Sequence, residues 1–188
     1  MKKITLFIGI LCFGAIMVSA QSKKVDLSAS EITWLGKKVT GEHTGNISFK
    51  SGFLIVDNNV LEGGEFDVDM NSITCTDIDN ADYNAKLVGH LKSDDFFGVE
   101  KFPTSKLKLT NVVAEDNMYK AEGELTIKGK THKLAFDVKQ DGTTFKGKVV
   151  IDRTKYDVRY GSGKFFDNLG DKMIYDDFEL DFKVVILK

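Results

Sequence analysis

The residue types that most often carry chemistry are sparse in this chain and far apart. The three histidines, His43, His90 and His132, occur in different local contexts, and no two have the spacing of a metal-binding pair. No cysteine stands near them in sequence to complete a zinc site. We therefore expect no metal site and no cofactor. His90 is the one of interest, because it falls at the end of a predicted helix, where a positive charge is favoured.

Two other stretches approach known site patterns without matching them. Asp77, Asp79 and Asp82 begin like a calcium loop, but its sixth position is Asp82 instead of glycine and its twelfth is Val88 instead of glutamate. Residues 142–148 nearly match a phosphate-binding loop, yet valine stands where serine or threonine is needed. No nucleophile elbow occurs. These absences favour a binding protein over an enzyme.

Residues 1–20 have the pattern of a cleaved secretory signal peptide. Lys2 and Lys3 form a positive start, an apolar run follows from Ile4 to Val18, and small residues end it at Ala20. The run is shorter than the ~20 residues of a membrane-spanning helix. We expect cleavage after Ala20, a periplasmic or secreted location, no stable membrane span, and one domain over residues 21–188.

The charge and cysteine content of residues 21–188 argue against nucleic acid as a partner and against an internal disulfide bond. The whole chain has 26 basic and 28 acidic residues, so the loss of Lys2 and Lys3 leaves 24 against 28, a net charge of −4. Such a chain has no electrostatic footprint for nucleic acid. Cleavage also removes Cys12, which leaves Cys75 alone and without a partner for an internal disulfide.

Alternation of apolar and polar residues recurs along the chain and predicts half-buried strands. It is clearest at 66–70 and at 178–186, and glycine-containing turns at 127–130 and 140–142 separate such runs. Several strands joined by tight turns are typical of an all-β sandwich or barrel.

Two segments break this alternation. Apolar residues from Tyr83 to Leu91 fall at helical spacing, and Asp79 or Asn80 is placed to cap a helix there. We expect one short helix packed across a barrel end. Residues 152–174 form a long connection with aromatic and charged residues side by side, which is the pattern of a functional rim or of a solvated loop.

Over essentially all of residues 24–188 the chain resembles the YceI-like family of secreted, lipocalin-like barrels. The resemblance rests on stretches that occur in order along the chain: Ser30-x-Ile32-x-Trp34-x-Gly36-x-Lys38 with His43-Thr44-Gly45, Phe66-x-Val68-Asp69-Met70-x-Ser72-Ile73, Leu87-x-x-His90-Leu91-Lys92-Ser93-x-Asp95-Phe96-Phe97, Gly123-x-Leu125-Thr126-Ile127-Lys128-Gly129-x-Thr131, and Asp152-Arg153-Thr154-x-Tyr156-x-Val158-x-Tyr160-Gly161. It implies an eight-stranded antiparallel β-barrel with a short helical insertion near its mouth. Some members of the family bind a polyisoprenoid or related amphiphile, and no catalysis is established for the family generally.

An eight-stranded barrel is just wide enough to be filled by side chains or to hold one slender ligand. The residues expected to line such a tube or its portal are aromatic or aliphatic: Trp34, Phe66, Val68, Phe96, Phe97, Phe136, Phe178, Leu180 and Phe182. At the rim, His90, Lys92 and Arg153 are expected to meet a polar or phosphorylated head group.

Three functions stay open at this point. The first is a carrier or store of an isoprenoid or other lipid-like molecule inside the barrel. The second is a protein-interaction or stress-response module whose barrel is filled and has no ligand. The third is an enzyme that acts on an amphiphile at the rim. A homodimer is compatible with such barrels, but no patch in the sequence demonstrates one.

Overall fold

The computed structural model describes residues 21–116 and 118–187, so the predicted signal peptide lies outside the described residues. The described chain is built almost entirely of strands, with one α-helix between the fourth and fifth: β1 Gln21–Lys24, β2 Glu31–Lys38, β3 Gly41–Asp57, β4 Val60–Asp69, α1 Ala81–Lys92, β5 Thr104–Glu115, β6 Met118–Ile127, β7 Lys130–Asp141, β8 Thr144–Asp152 and β9 Ile174–Val185.

Strands β2 to β9 form a closed, eight-stranded antiparallel barrel. Sequential neighbours pair from β3 through β9, β9 pairs with β2, and β2 pairs with β3 to complete the circle. The short β1 continues the line of β2 along the second half of β3, where Gln21 faces Val56. The predicted fold class is therefore confirmed.

One end of the barrel, which we call the hairpin end, carries the β3–β4, β5–β6 and β7–β8 turns and is filled by side chains. Phe145 is only 1% exposed there. Backbones also approach closely, since a Cβ atom on Gly64 would lie 2.7 Å from the backbone carbonyl oxygen of Phe53. The core of this end is formed by buried residues from most strands: Val25, Leu54, Val56, Leu61, Phe66, Leu109, Tyr119, Ala121, Val138, Phe145, Val184 and Ile186.

The opposite end, which we call the helix end, has longer connections. Residues 70–103, which include α1, join β4 to β5, and residues 153–173 join β8 to β9. The side chain of Asn80 accepts hydrogen bonds from the backbone N–H groups of Asp82 and Tyr83, so the helix begins with one of its two predicted caps.

Helix α1 lies outside the core along most of its length. None of its residues is fully buried, and Leu91 near its C-terminus packs against the cluster that contains Ile32 and Ile73. Within the described residues, no helix has the length and hydropathy needed to cross a bilayer.

Candidate functional site

An apolar cavity lies inside the helix end of the barrel. Its volume is about 130 Å³, and its wall is formed mainly by aliphatic and aromatic side chains, so the space is suited to apolar groups.

Six of the nine residues predicted to line the tube or its portal do line this cavity: Trp34, Val68, Phe96, Phe97, Phe178 and Leu180. They come from β2, β4, the segment after α1, and β9. The alternation of the strands turns the four strand residues inward, and the register of β2 with β9 places Trp34 opposite Leu180. Their role in binding stays a prediction.

The other three predicted residues, Phe66, Phe136 and Phe182, do not line the cavity. Phe66 belongs to the core of the hairpin end, and the other two pack against that core. The rings of Phe136 and Phe182 meet edge to face, with centroids 5.7 Å apart. Phe182 contacts all three core clusters, so it lies between the filled half and the hollow half. These side chains therefore contribute to the packed core and not to the wall of this cavity.

Aromatic rings form one side of the cavity near the segment that follows α1. The rings of Phe96 and Phe97 are 5.1 Å apart, and Phe97 is 6.2 Å from Phe178 across the barrel. The backbone of this segment is tightly turned, because the N–H of Phe97 donates to the carbonyl of Leu91 at 3.1 Å. Phe96 itself is only 7% exposed, so it is a wall residue and does not stand free at the portal.

Trp34 is held in place by the strand beside it. Its indole N–H donates to the carbonyl oxygen of Thr74 at 3.0 Å. Gly45, directly across from Trp34 on β3, allows this approach, because a Cβ atom at that position would overlap both the Thr74 carbonyl and the indole ring. The absence of a side chain at position 45 therefore permits this orientation of the indole at the cavity wall.

Of the three predicted rim residues, only Arg153 reaches the cavity. Its guanidinium is buried and donates to the carbonyls of Val158, Ile174 and Tyr175 at 2.8 to 3.1 Å. Burial lowers its pKa below the usual range, and the nearby carboxylate of Asp176 opposes that shift. Arg153 therefore ties the β8–β9 connection to the barrel and has at most two N–H groups left for a ligand.

The two other predicted rim residues, His90 and Lys92, are placed apart from each other, and their contact with a head group stays a prediction. The ring of His90 packs edge-on against Tyr160 with centroids 4.4 Å apart, and the ammonium of Lys92 donates to the carbonyl of Asn71 at 2.7 Å. Neither lines the cavity. Residues two apart on a helix point about 200° apart, so these two side chains leave α1 in different directions.

Several lining residues were not singled out in the sequence. Ile32 and Ile47 lie on β2 and β3, where the alternation of apolar and polar residues points them inward. Met70 continues the alternation predicted over residues 66–70, although it begins a short 3₁₀ turn. Ile73 lies just after that turn, where no strand period applies, and only the folded chain brings it to the wall. The hydroxyl of Ser105, the one serine in the lining, donates to the sulfur of Met70 at 3.0 Å.

Outside the barrel mouth, folding brings His43 beside Cys75 and Asp77, which the sequence spacing did not predict. Nδ1 of His43 is 2.9 Å from one carboxylate oxygen of Asp77, and Sγ of Cys75 is 3.1 Å from the other. Burial and the Asp77 hydrogen bond raise the pKa of the Cys75 thiol. Burial also acts to raise the pKa of Asp77, but hydrogen bonds from Cys75 and His43 outweigh it and lower that pKa.

Comparison with known proteins gives one family and one fold. Residues 24–186 match the model of the YceI-like domain. A UPF0312 protein of Staphylococcus epidermidis is 38% identical over 82 residues, a match that covers 38% of this chain and 46% of that protein. The matched part thus spans about half the length of this relative.

Two solved structures share the fold at low identity. BcnA of Burkholderia cenocepacia superposes with a TM-score of 0.68 at 24% identity, over 86% of this chain and 98% of BcnA. A polyisoprenoid-binding domain from Saccharophagus degradans superposes with a TM-score of 0.60 at 15% identity, over 89% of this chain and 98% of that domain. At these identities the likeness establishes the barrel architecture.

Proposed function

This chain belongs to the YceI-like family, and we propose that it binds, stores or transports one apolar or amphiphilic molecule, of the polyisoprenoid or a similar lipid class, in the cavity at the helix end. The single observation that carries the proposal is an apolar cavity of about 130 Å³ at the helix end of a barrel whose other end is filled. The pattern of residues 1–20 supports action in the periplasm or outside the cell.

The volume and the apolar lining of the cavity favour a hydrocarbon chain as the ligand. A space of about 130 Å³ with an apolar wall suits a linear or methyl-branched hydrocarbon chain, which is slender and needs no hydrogen-bond partners. Isoprenoid chains have this shape. The Saccharophagus degradans domain, which has the same fold, is described as polyisoprenoid-binding, and this is a further argument for that class.

Apolar contact alone provides enough affinity for such a ligand. Each buried CH₂ contributes ~0.8 kcal/mol, so ten buried carbons contribute roughly 8 kcal/mol before the costs of association. The cavity holds only part of a long chain, so the remainder and the head group extend from the mouth. Because Arg153 already donates to three carbonyls, the head group contributes less to affinity than the tail.

The two other hypotheses fit the molecule less well. A module with a filled barrel agrees with the hairpin end but not with the hollow helix end. For an enzyme at the rim, the sequence pointed to His90, which packs against Tyr160 and Phe96 and does not line the cavity. Binding without chemical conversion is the function that the geometry supports best.

Native mass spectrometry of the protein purified from its own host tests the proposal. We expect a co-purifying apolar molecule that is released on denaturation. Val68→Phe, which puts a ring into the cavity wall, should abolish its retention, whereas Val113→Phe, at a position 48% exposed on β5, should leave it unchanged. Absence of any guest from the wild-type protein, or equal retention by both variants, would contradict the carrier function.

A further inference from the structure

The three side chains outside the mouth are presented by two chain segments whose backbones are fixed to each other. His43 lies near the start of β3, and Cys75 and Asp77 lie in the extended segment that leads to α1. The N–H of Thr74 donates to the carbonyl of Asn46 at 3.0 Å, and the N–H of Thr76 donates to that of Thr44 at 2.9 Å. This segment therefore runs along β3 as an added strand, which positions the side chains before any ligand arrives.

Further hydrogen bonds hold the loop that carries Cys75 and Asp77. The amide of Asn84 on α1 donates to the carbonyls of Cys75 and Ile78 at 3.0 and 3.1 Å. The N–H of Thr44 donates to the carboxylate of Asp77 at 3.1 Å. Such supporting bonds fix the orientation of the groups they hold, as the outer partners of metal ligands do.

The geometry of the three groups is close to that of a metal site. One nitrogen, one sulfur and one carboxylate oxygen all lie within 4.8 Å of one another. Tetrahedral zinc, with bonds of about 2.3 Å to sulfur and about 2.0 Å to nitrogen or oxygen, places its ligand atoms roughly 3.5 Å apart. Small side-chain rotations are sufficient to convert one arrangement into the other.

We propose that His43, Cys75 and Asp77 form a three-ligand site for a zinc-class divalent cation at the outer edge of the barrel mouth. A thiolate with an imidazole selects zinc and related transition metals over Mg²⁺ and Ca²⁺, which prefer oxygen ligands. Binding replaces the thiol proton of Cys75, which leaves to solvent, by the metal. The dianionic pair of Cys75 and Asp77 then neutralises the charge of the cation.

The site has room for a fourth ligand. The side chains of His43 and Asp77 are 37% and 30% exposed, so one face of the cluster meets solvent, while Cys75 is buried on the other. Three protein ligands with an open position are the arrangement in which zinc retains a water molecule. The proposal is independent of the lipid cavity, because none of the three residues lines it.

Cobalt substitution provides a direct test, because Co²⁺ bound to a thiolate gives an intense near-ultraviolet charge-transfer band. We expect that band on titration of the purified chain with Co²⁺, saturation at one ion per chain, and its loss when Zn²⁺ is added. Cys75→Ser should abolish the band. His132→Gln, which changes a histidine on β7 that is not part of the cluster, should leave it unchanged and is the matched control.

Zn²⁺ affinity, measured by competition with a chromophoric chelator, extends the test to the other ligands. His43→Gln and Asp77→Asn should each weaken binding by more than about tenfold, whereas His132→Gln, on β7, should not change it. Circular dichroism confirms that each variant is folded. A chain that binds no Zn²⁺ at micromolar concentration, or whose affinity survives the loss of both His43 and Cys75, would overturn the proposal.

Discussion

The two ends of the barrel are built from the same eight strands, yet one is solid and the other hollow. At the hairpin end, tight turns hold neighbouring strands together and the chain termini add Val25 and Ile186 to the core. At the helix end, two of the four connections are long, and rings such as those of Phe97 and Phe178 pack against each other in the wall but leave a cavity inside the barrel. The difference teaches that inward-facing apolar residues make a core or a pocket depending on what closes their end of the barrel.

The hairpin end should supply most of the stability of the molecule. Phe145→Ala removes a fully buried ring and leaves a void among well-packed neighbours, so we expect a loss of about 3 to 5 kcal/mol in the free energy of unfolding. Urea denaturation measures it. Phe165→Ala, at a ring that is 44% exposed in the β8–β9 connection, is the control and should change stability by less than about 0.5 kcal/mol.

The close packing of Gly45 against Thr74 and Trp34 provides a second test of how the helix end is built. Gly45→Ala forces a methyl group against the carbonyl of Thr74 and the indole of Trp34, so backbone must move. We expect a loss of roughly 1 to 3 kcal/mol of stability, together with quenching or a spectral shift of the single tryptophan. Gly89→Ala on α1, where a Cβ meets no neighbour, should not destabilise the protein. Equal effects of the two substitutions would contradict this account.

A cavity wall residue should affect binding more than folding. Leu180→Ala enlarges a space that already exists, and we expect a loss of about 1 to 2 kcal/mol in stability, less than for Phe145→Ala. Affinity for a fluorescent isoprenoid analogue should fall several-fold in the same variant. A stability loss as large as that of Phe145→Ala would show that the helix end is as solid as the hairpin end.

Acid should weaken the helix end slightly through Asp152. Burial acts to raise the pKa of this carboxylate, but hydrogen bonds from Thr154 and Lys164 outweigh it and lower the pKa below its usual value. A folded pKa below the unfolded one stabilises the protein at neutral pH, and that contribution is lost as the pH falls below about 4. The group is partly exposed, so we expect no more than about 1 kcal/mol.

This pH dependence is measured by comparing wild type with Asp152→Asn. The stability difference between the two proteins should be present at pH 7 and should shrink as the pH falls below about 4, because the carboxylate of the unfolded wild type is then increasingly protonated and its charge favours the folded state less. A difference that stays constant over this whole pH range would show that the carboxylate charge contributes nothing.

By itself, the sequence determined the strands, the turns and the one helix, because alternation with a period of two and glycine turns act over a few residues. These patterns left a sandwich or a barrel open, and the eight-stranded barrel was implied by the resemblance to the YceI-like family. The sequence also predicted correctly that Phe66 and Val68 point inward. Only the tertiary structure decided that Val68 lines the cavity while Phe66 is packed, since the two lie one strand repeat, roughly 6.6 Å, apart along the barrel.

The same reason explains why the sequence did not predict the cluster of His43, Cys75 and Asp77. His43 and Cys75 are brought together by the pairing of the segment after β4 with β3, a contact across more than thirty residues. Local pattern fixes which face of a strand a residue occupies. The level along the barrel and the partner beside it depend on register and on long connections, which are set by the packing of the whole chain.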